Sequence, residues 1–70
     1  RRGSVLVVKL IMMEGRTSEQ KEALIRRLSE AAAGELGCPL EEVRVVIYEV
    51  SKNEWGIGGK SVAKRESEAG

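Results

Sequence analysis

The chain has 70 residues, and twelve lysines and arginines nearly balance eleven acidic residues to give a formal net charge of +1. So small a net charge creates no field that would draw the protein to nucleic acid or to a membrane surface, and neither partner is expected. One cysteine, Cys38, and no recognisable export signal predict a cytoplasmic location.

The short length also limits how the fold can be stabilised. A chain of this size buries too little apolar surface to be robust alone, and natural chains compensate with disulfides, metals or oligomerisation. Cys38 is the only cysteine and histidine is absent, so neither an intrachain disulfide nor a Cys/His zinc site can form within one chain. We therefore expect a single domain over residues 1–70 that oligomerises, and no metal or other cofactor.

The first predicted element is a strand. We expect a leader over residues 1–5 and a strand from about Val5 to Met13, because this stretch is β-branched and apolar apart from Lys9. Such a nearly continuous apolar pattern is typical of a strand that is covered on both faces.

A helix follows. Thr17 and Gln20 have the spacing of a capping box, in which each side chain binds the other's backbone N–H. The apolar residues that follow recur at helical spacing, with charged residues between them. Gly37 is a natural helix end, and Pro39 prevents continuation.

The stretch from Val43 to Val50 predicts a second strand, so strand, helix and strand form a βαβ unit with parallel strands. The glycines at 56, 58 and 59 indicate a tight hairpin, and a loose tail is expected over residues 66–70. One helix covers only one face of a two-stranded sheet. The other face must meet another subunit, so the residues alone predict an α/β obligate oligomer.

Several separated motifs resemble the 4-oxalocrotonate tautomerase family. The motifs are Glu14-Gly15-Arg16, Ser18-Glu19-Gln20-Lys21-Glu22, Pro39-Leu40, Val43-Arg44-Val45 and Trp55-Gly56-Ile57-Gly58-Gly59. The resemblance runs without gaps from about Val7 to Lys64. It implies β-α-β protomers with a C-terminal β-hairpin that assemble as dimers into a hexamer or pseudo-hexamer. It also implies an isomerase that moves a proton between the keto and enol forms of small anionic 2-oxo acids, with an amino-terminal proline as the base.

The resemblance assigns roles to three residues. Arg16 would bind the distal carboxylate of the substrate, and Arg44, from a neighbouring subunit, would polarise the carbonyl end. A guanidinium suits these tasks because it makes paired, charge-assisted hydrogen bonds and keeps its proton near neutral pH. Trp55 would form the hydrophobic wall. Apart from the resemblance, Met13 is expected to line the core or the rim of the pocket, where it is a candidate for substrate binding.

The catalytic base of the family is missing from the corresponding position. Counted back from Glu14, the family's terminal proline falls at Leu6, whose nitrogen is an ordinary peptide nitrogen. An amide nitrogen is not basic and cannot abstract a proton as a free secondary amine does. The only proline, Pro39, is internal.

The two arginines and Trp55 also have structural interpretations. Arg16 alone is compatible with a solvated turn, and Arg44 with an ion pair to Glu49 or to a carboxylate of a neighbouring subunit. Trp55 is equally compatible with packing at an interface.

Three functions therefore stay open. In the first, the chain is a subunit of a tautomerase whose partner chain supplies the proline. In the second, it forms a proline-less homo-oligomer with weak or altered activity, in which an α-amine at Arg1 acts as a base or forms an imine. In the third, it is a non-enzymatic anion-binding or scaffold protein. The sequence names neither the physiological substrate nor the composition of the assembly.

Overall fold

The computed structural model describes residues 6–69, which form a βαβ unit followed by a hairpin and a second helix. The elements are β1 (Leu6–Met13), α1 (Ser18–Leu36), β2 (Val43–Val50), β3 (Gly56–Ile57), β4 (Lys60–Ser61) and α2 (Val62–Ala69). The predicted leader over residues 1–5 lies outside the described residues. No helix within residues 6–69 has the length and apolar character needed to cross a membrane.

Helix α1 begins and ends where its sequence predicts. The Thr17 side chain accepts the N–H of Gln20 at 3.0 Å, and the Gln20 side chain accepts the N–H of Thr17 at 2.9 Å, which completes the capping box. Gly37 has a φ of 66°, a left-handed conformation that glycine adopts without a steric penalty, and ends the helix. The predicted helix is confirmed.

Loss of the cap should weaken this helix measurably. Replacing Thr17 with Ala removes the acceptor of the Gln20 N–H, and we expect the free energy of unfolding to fall by about 1 kcal/mol. Chemical denaturation followed by circular dichroism, at equal protein concentration, measures the change. Thr17→Ser keeps the hydroxyl and is the matched control. Equal unfolding midpoints for Thr17→Ala and the parent chain would contradict this role.

Strands β1 and β2 form a parallel sheet, as predicted. Their register pairs Leu6 with Val43 at one end and Met13 with Val50 at the other. Successive side chains of a strand point to opposite faces. One face packs against α1, and an ion pair of 3.1 Å between Lys21 of α1 and Glu49 of β2 lies on that side.

The opposite face of the sheet is exposed in the protomer, and we call it the open sheet face. It consists of Val7, Lys9, Ile11 and Met13 of β1, and Arg44, Val46, Tyr48 and Val50 of β2. Ile11 is 65% exposed and Val7 is 52% exposed, whereas Val43, on the α1 side, is the only buried apolar residue among residues 6–69. An exposed apolar face of this kind marks a surface that meets another protein chain.

The prediction for the hairpin agrees with the structure, whereas the prediction for the C-terminal segment does not. The hairpin between β3 and β4 is confirmed, and Gly58 and Gly59 occupy its turn with φ values of 62° and 87°. The predicted loose tail is wrong for residues 66–69, which belong to α2, while Gly70 lies outside the described residues. Ion pairs from outside the helix hold it: Lys52 to Glu66 at 2.8 Å and Lys60 to Glu68 at 2.7 Å.

Candidate active site

Arg16 lies at the carboxyl end of β1, in the turn that leads into α1. Gly15, with a φ of 123°, takes the chain out of the strand in a conformation that favours glycine. Arg16 is exposed and lines an open concavity of about 370 Å³ together with Met12, Met13, Glu14 and Gly15. The structure therefore brings together Arg16 and Met13, two of the residues that the sequence analysis assigned to substrate binding.

Arg44 lies near the amino end of β2, on the open sheet face opposite Val7. Its Nη1 donates a hydrogen bond to the backbone carbonyl of Glu41, in the 3-10 turn that precedes the strand. One arm of the guanidinium is thus held by the protein's own backbone. The side chain is exposed in the protomer, so the rest of the guanidinium is available to a ligand or a partner.

The two arginines are at opposite ends of the sheet. Arg44 pairs with Val7, whereas Arg16 lies beyond Met13, which pairs with Val50. A strand rises about 3.3 Å per residue, so the Val7 and Met13 ends are roughly 20 Å apart. A small molecule cannot contact both guanidiniums of one protomer. Any site that contains both must therefore combine Arg16 of one chain with Arg44 of another.

Leu6 is at the same end of the sheet as Arg44, because it begins β1 and pairs with Val43 at the amino end of β2. Its side chain is half-buried on the side of α1.

Trp55 follows a 3-10 turn, Lys52–Glu54, that comes directly after β2. Its backbone carbonyl accepts the N–H of Val62 at 2.8 Å, which fixes the base of the hairpin to the start of α2. The ring is half-buried. Since β2 ends beside the end of β1, the segment that carries Trp55 leaves the sheet at the Arg16 end, and Arg44 of the same protomer is at the other end.

The alternative interpretation of Arg44, an ion pair with Glu49, is wrong for the protomer. Glu49 is on the face that packs against α1, where it binds Lys21, and Arg44 is on the open sheet face. Within residues 6–69, no carboxylate lies at ion-pair distance from Arg44 or Arg16. Two guanidiniums without an internal counter-charge are suited to binding an external anion.

Sequence reasoning did not single out two groups near Arg44. The Glu41 carbonyl orients the guanidinium, and no sequence pattern reveals a contact made by a backbone oxygen. Lys9 lies on the open sheet face, one position along that face from Val7. The sequence did contain a sign of this residue, because Lys9 is the only charged residue in the apolar stretch that forms β1.

The fold defines a class of protein: small α/β protomers in which a parallel βαβ unit precedes a β-hairpin, with one sheet face left for another chain. The chain belongs to the tautomerase family, because a family model described as "Tautomerase enzyme" matches residues 5–65. The resemblance found in the sequence is therefore confirmed at the level of the family and of the β-α-β fold.

Individual relatives agree with this assignment. The chain is 55% identical over 58 residues to a 2-hydroxymuconate tautomerase of Pseudomonas sp. (strain CF600), covering 83% of this chain and 92% of the relative. It is similar to a solved heterohexamer 4-oxalocrotonate tautomerase from Chloroflexus aurantiacus J-10-fl, with 47% identity, a TM-score of 0.81, and coverage of 86% and 97% of the two chains. The structure of TomN, a 4-oxalocrotonate tautomerase homologue in the tomaymycin biosynthetic pathway, superposes with a TM-score of 0.87 at 35% identity, covering 93% and 100%.

Proposed function

We propose that this chain is a subunit of a 4-oxalocrotonate tautomerase-type isomerase that acts on 2-hydroxydienoates such as 2-hydroxymuconate. In this proposal the chain contributes Arg16, Arg44, Trp55 and Met13 to binding and catalysis, and a partner chain contributes the proline base. The observation that carries the proposal is the pair of arginines at opposite ends of the sheet, neither of which has an ion-pair partner within residues 6–69.

The reaction needs one base and two anion-binding groups. The base removes the proton from the 2-hydroxyl group, the oxygen becomes a carbonyl, and the electron pair moves along the conjugated diene. A carbon of the diene then receives a proton from the protonated base, so no atom is gained or lost. Arg44 stabilises the negative charge that develops on the oxygen, and Arg16 binds the far carboxylate of the substrate.

Trp55 and Met13 complete the pocket in this account. An aromatic wall excludes water, and this strengthens the hydrogen bonds between the guanidiniums and the substrate. Met13 lies beside Arg16 in the concavity at the end of β1, where a flexible thioether can adapt to the carbon chain of the substrate.

The need for a partner follows from the position of Leu6. The lone pair of a peptide nitrogen is delocalised into the adjacent carbonyl group, so the nitrogen is not basic. This chain therefore offers no base of the family's type at residue 6. A pocket assembled from several chains can combine Arg16 and Arg44 from two copies of this chain with the proline of an unlike chain. The relative at 47% identity is described as a heterohexamer, which supports the possibility that unlike chains of this fold assemble together.

The activity assay follows the ultraviolet band of the conjugated ketone formed from 2-hydroxymuconate. We expect the pure chain to be nearly silent. A proline-bearing chain of the family that is inactive alone, because its own substrate-binding arginines are replaced by alanine, should restore turnover when the two are mixed. Rapid turnover by the pure chain would favour the proline-less homo-oligomer. Dicarboxylate binding without turnover in every mixture would favour an anion-binding or scaffold protein.

Arg16 is expected to act mainly on binding. Charge-assisted hydrogen bonds contribute about 1.5–3 kcal/mol, so Arg16→Ala should weaken dicarboxylate binding by roughly tenfold to a hundredfold. Calorimetric titration of the mixed assembly with a non-reactive dicarboxylate measures the affinity. Arg27→Ala, an equal loss of charge on the exposed side of α1, should leave the affinity unchanged. Equal affinities of Arg16→Ala and the parent assembly would remove Arg16 from the site.

A further inference from the structure

The open sheet face carries two positive charges among apolar side chains. Lys9 pairs with Val46 in the sheet and Arg44 pairs with Val7, so the two cations are on adjacent pairs of the same face. Around them, Val7, Ile11, Val46 and Tyr48 are all exposed apolar or aromatic side chains. The open sheet face, which is the exposed apolar surface of the protomer, thus carries two positive charges.

This face supplies no negative charge of its own. Glu49 is the only acidic residue in the two strands, and it lies on the opposite face in an ion pair with Lys21 at 3.1 Å. Lys9 and Arg44 make no ion pair with any residue between 6 and 69. Residues 6–69 therefore give the open sheet face no counter-charge, and a partner that covers this face can supply one.

A second copy of this chain does not meet that need with the same surface. Two open sheet faces packed together would enclose two copies of Lys9 and two of Arg44 in an apolar contact without a carboxylate from either sheet. A buried charge is costly unless it is paired and hydrogen-bonded. An anionic substrate at Arg44 would neutralise the guanidinium but would leave Lys9 unpaired.

We propose that the open sheet face docks against an unlike chain of the same fold, whose own sheet face presents a carboxylate to Lys9. The apolar residues provide the area of this contact, and Lys9 selects the partner. A mismatched pair buries like charges, whereas the matched pair forms an ion pair with favourable hydrogen bonds. The proposal deepens the proposed function, since the chain that pairs with Lys9 would also be the one that supplies the proline.

The test measures assembly by native mass spectrometry and sedimentation, with no activity assay. Lys9→Met removes the charge and keeps an apolar side chain of similar length. We expect it to increase the association constant for homo-oligomers by at least about tenfold relative to the parent chain, because an unpaired ion no longer has to be buried. Arg26→Met makes the same change of charge on an exposed position of α1 and should leave the association constant unchanged.

A second variant supplies the missing carboxylate. Lys9→Glu chains, labelled with heavy isotopes and mixed with the parent chain, should form mixed oligomers in excess of the statistical ratio. The proposal would be overturned if the parent chain formed homo-oligomers with the same association constant as Lys9→Met. It would also be overturned if the parent chain and Lys9→Glu mixed in the statistical ratio. Neither result bears on the proposed function, which is tested separately by whether turnover requires a proline-bearing chain. Failure of the docking proposal can therefore be distinguished from failure of the proposed function.

Discussion

A trimmed chain that begins at residue 6 and carries Leu6→Pro is expected to gain tautomerase activity as a homo-oligomer, without an unlike partner chain, with kcat/KM rising by about 10²–10⁴ over the parent chain. The change places a free secondary amine at the amino end of β1, the end of the sheet that also carries Arg44. Proline is tolerated as the first residue of a strand, so the fold should survive the substitution. Initial rates with 2-hydroxymuconate, at enzyme concentrations where the oligomer is intact, measure the gain.

The control for this prediction is the same trimmed chain with Leu6→Ala. It exposes a primary amine at the same place but has no proline ring, so a smaller gain is expected. Circular dichroism and native mass establish that both trimmed chains fold and assemble alike. A Leu6→Pro chain that assembles as the control does but shows the rate of the parent chain would contradict the assignment of residue 6 to the base position.

Loss of Arg44 is expected to have the largest effect of any single substitution on the mixed, active assembly. Arg44→Ala removes a preorganised donor to the oxygen that becomes negative in the transition state, and such donors contribute about 10²–10³-fold to kcat. Since this interaction strengthens during the reaction, kcat should fall more than KM rises. Steady-state kinetics of the mixed assembly separate the two quantities.

Arg44→Lys tests geometry at constant charge. A lysine is a point donor and cannot reproduce the two parallel hydrogen bonds of a guanidinium, so kcat should recover only in part. It also cannot both donate to the Glu41 carbonyl and bind the substrate with the same fixed planar geometry. An Arg44→Ala assembly with unchanged kcat would show that Arg44 has only a structural role in β2.

The βαβ unit was predictable because each of its elements has a strong local signal. The Thr17 capping box and Gly37 determine where α1 begins and ends, and the β-branched stretches match β1 and β2. Helix α2 was missed because the stretch Val62–Ala69 has too few apolar residues to show helical periodicity. Its start did have a signal: the Ser61 hydroxyl accepts the N–H of Lys64 at 3.1 Å, a serine cap. Its long-range ion pairs, such as Lys52 with Glu66, have no local pattern.

The candidate site was less predictable than the fold. The motif around Gly15 locates Arg16 at the end of β1, and a parallel register then places Arg44 at the other end of the sheet. The sequence motifs identify both arginines but not their separation, which depends on the pairing of Val7 with Arg44. The role of Lys9 emerges only once the register shows which face each strand residue occupies.

The most direct test of the account uses two chains that are each inactive alone. One is the present chain; the other is a proline-bearing tautomerase-family chain whose own two substrate-binding arginines have been replaced by alanine. Mixing the two chains is expected to restore turnover of 2-hydroxymuconate, and Arg44→Ala in the present chain is expected to lower the restored rate by about 10²–10³-fold. A mixed oligomer, confirmed by native mass, that stays inactive would contradict the claim that this chain supplies the arginines to a partner's proline.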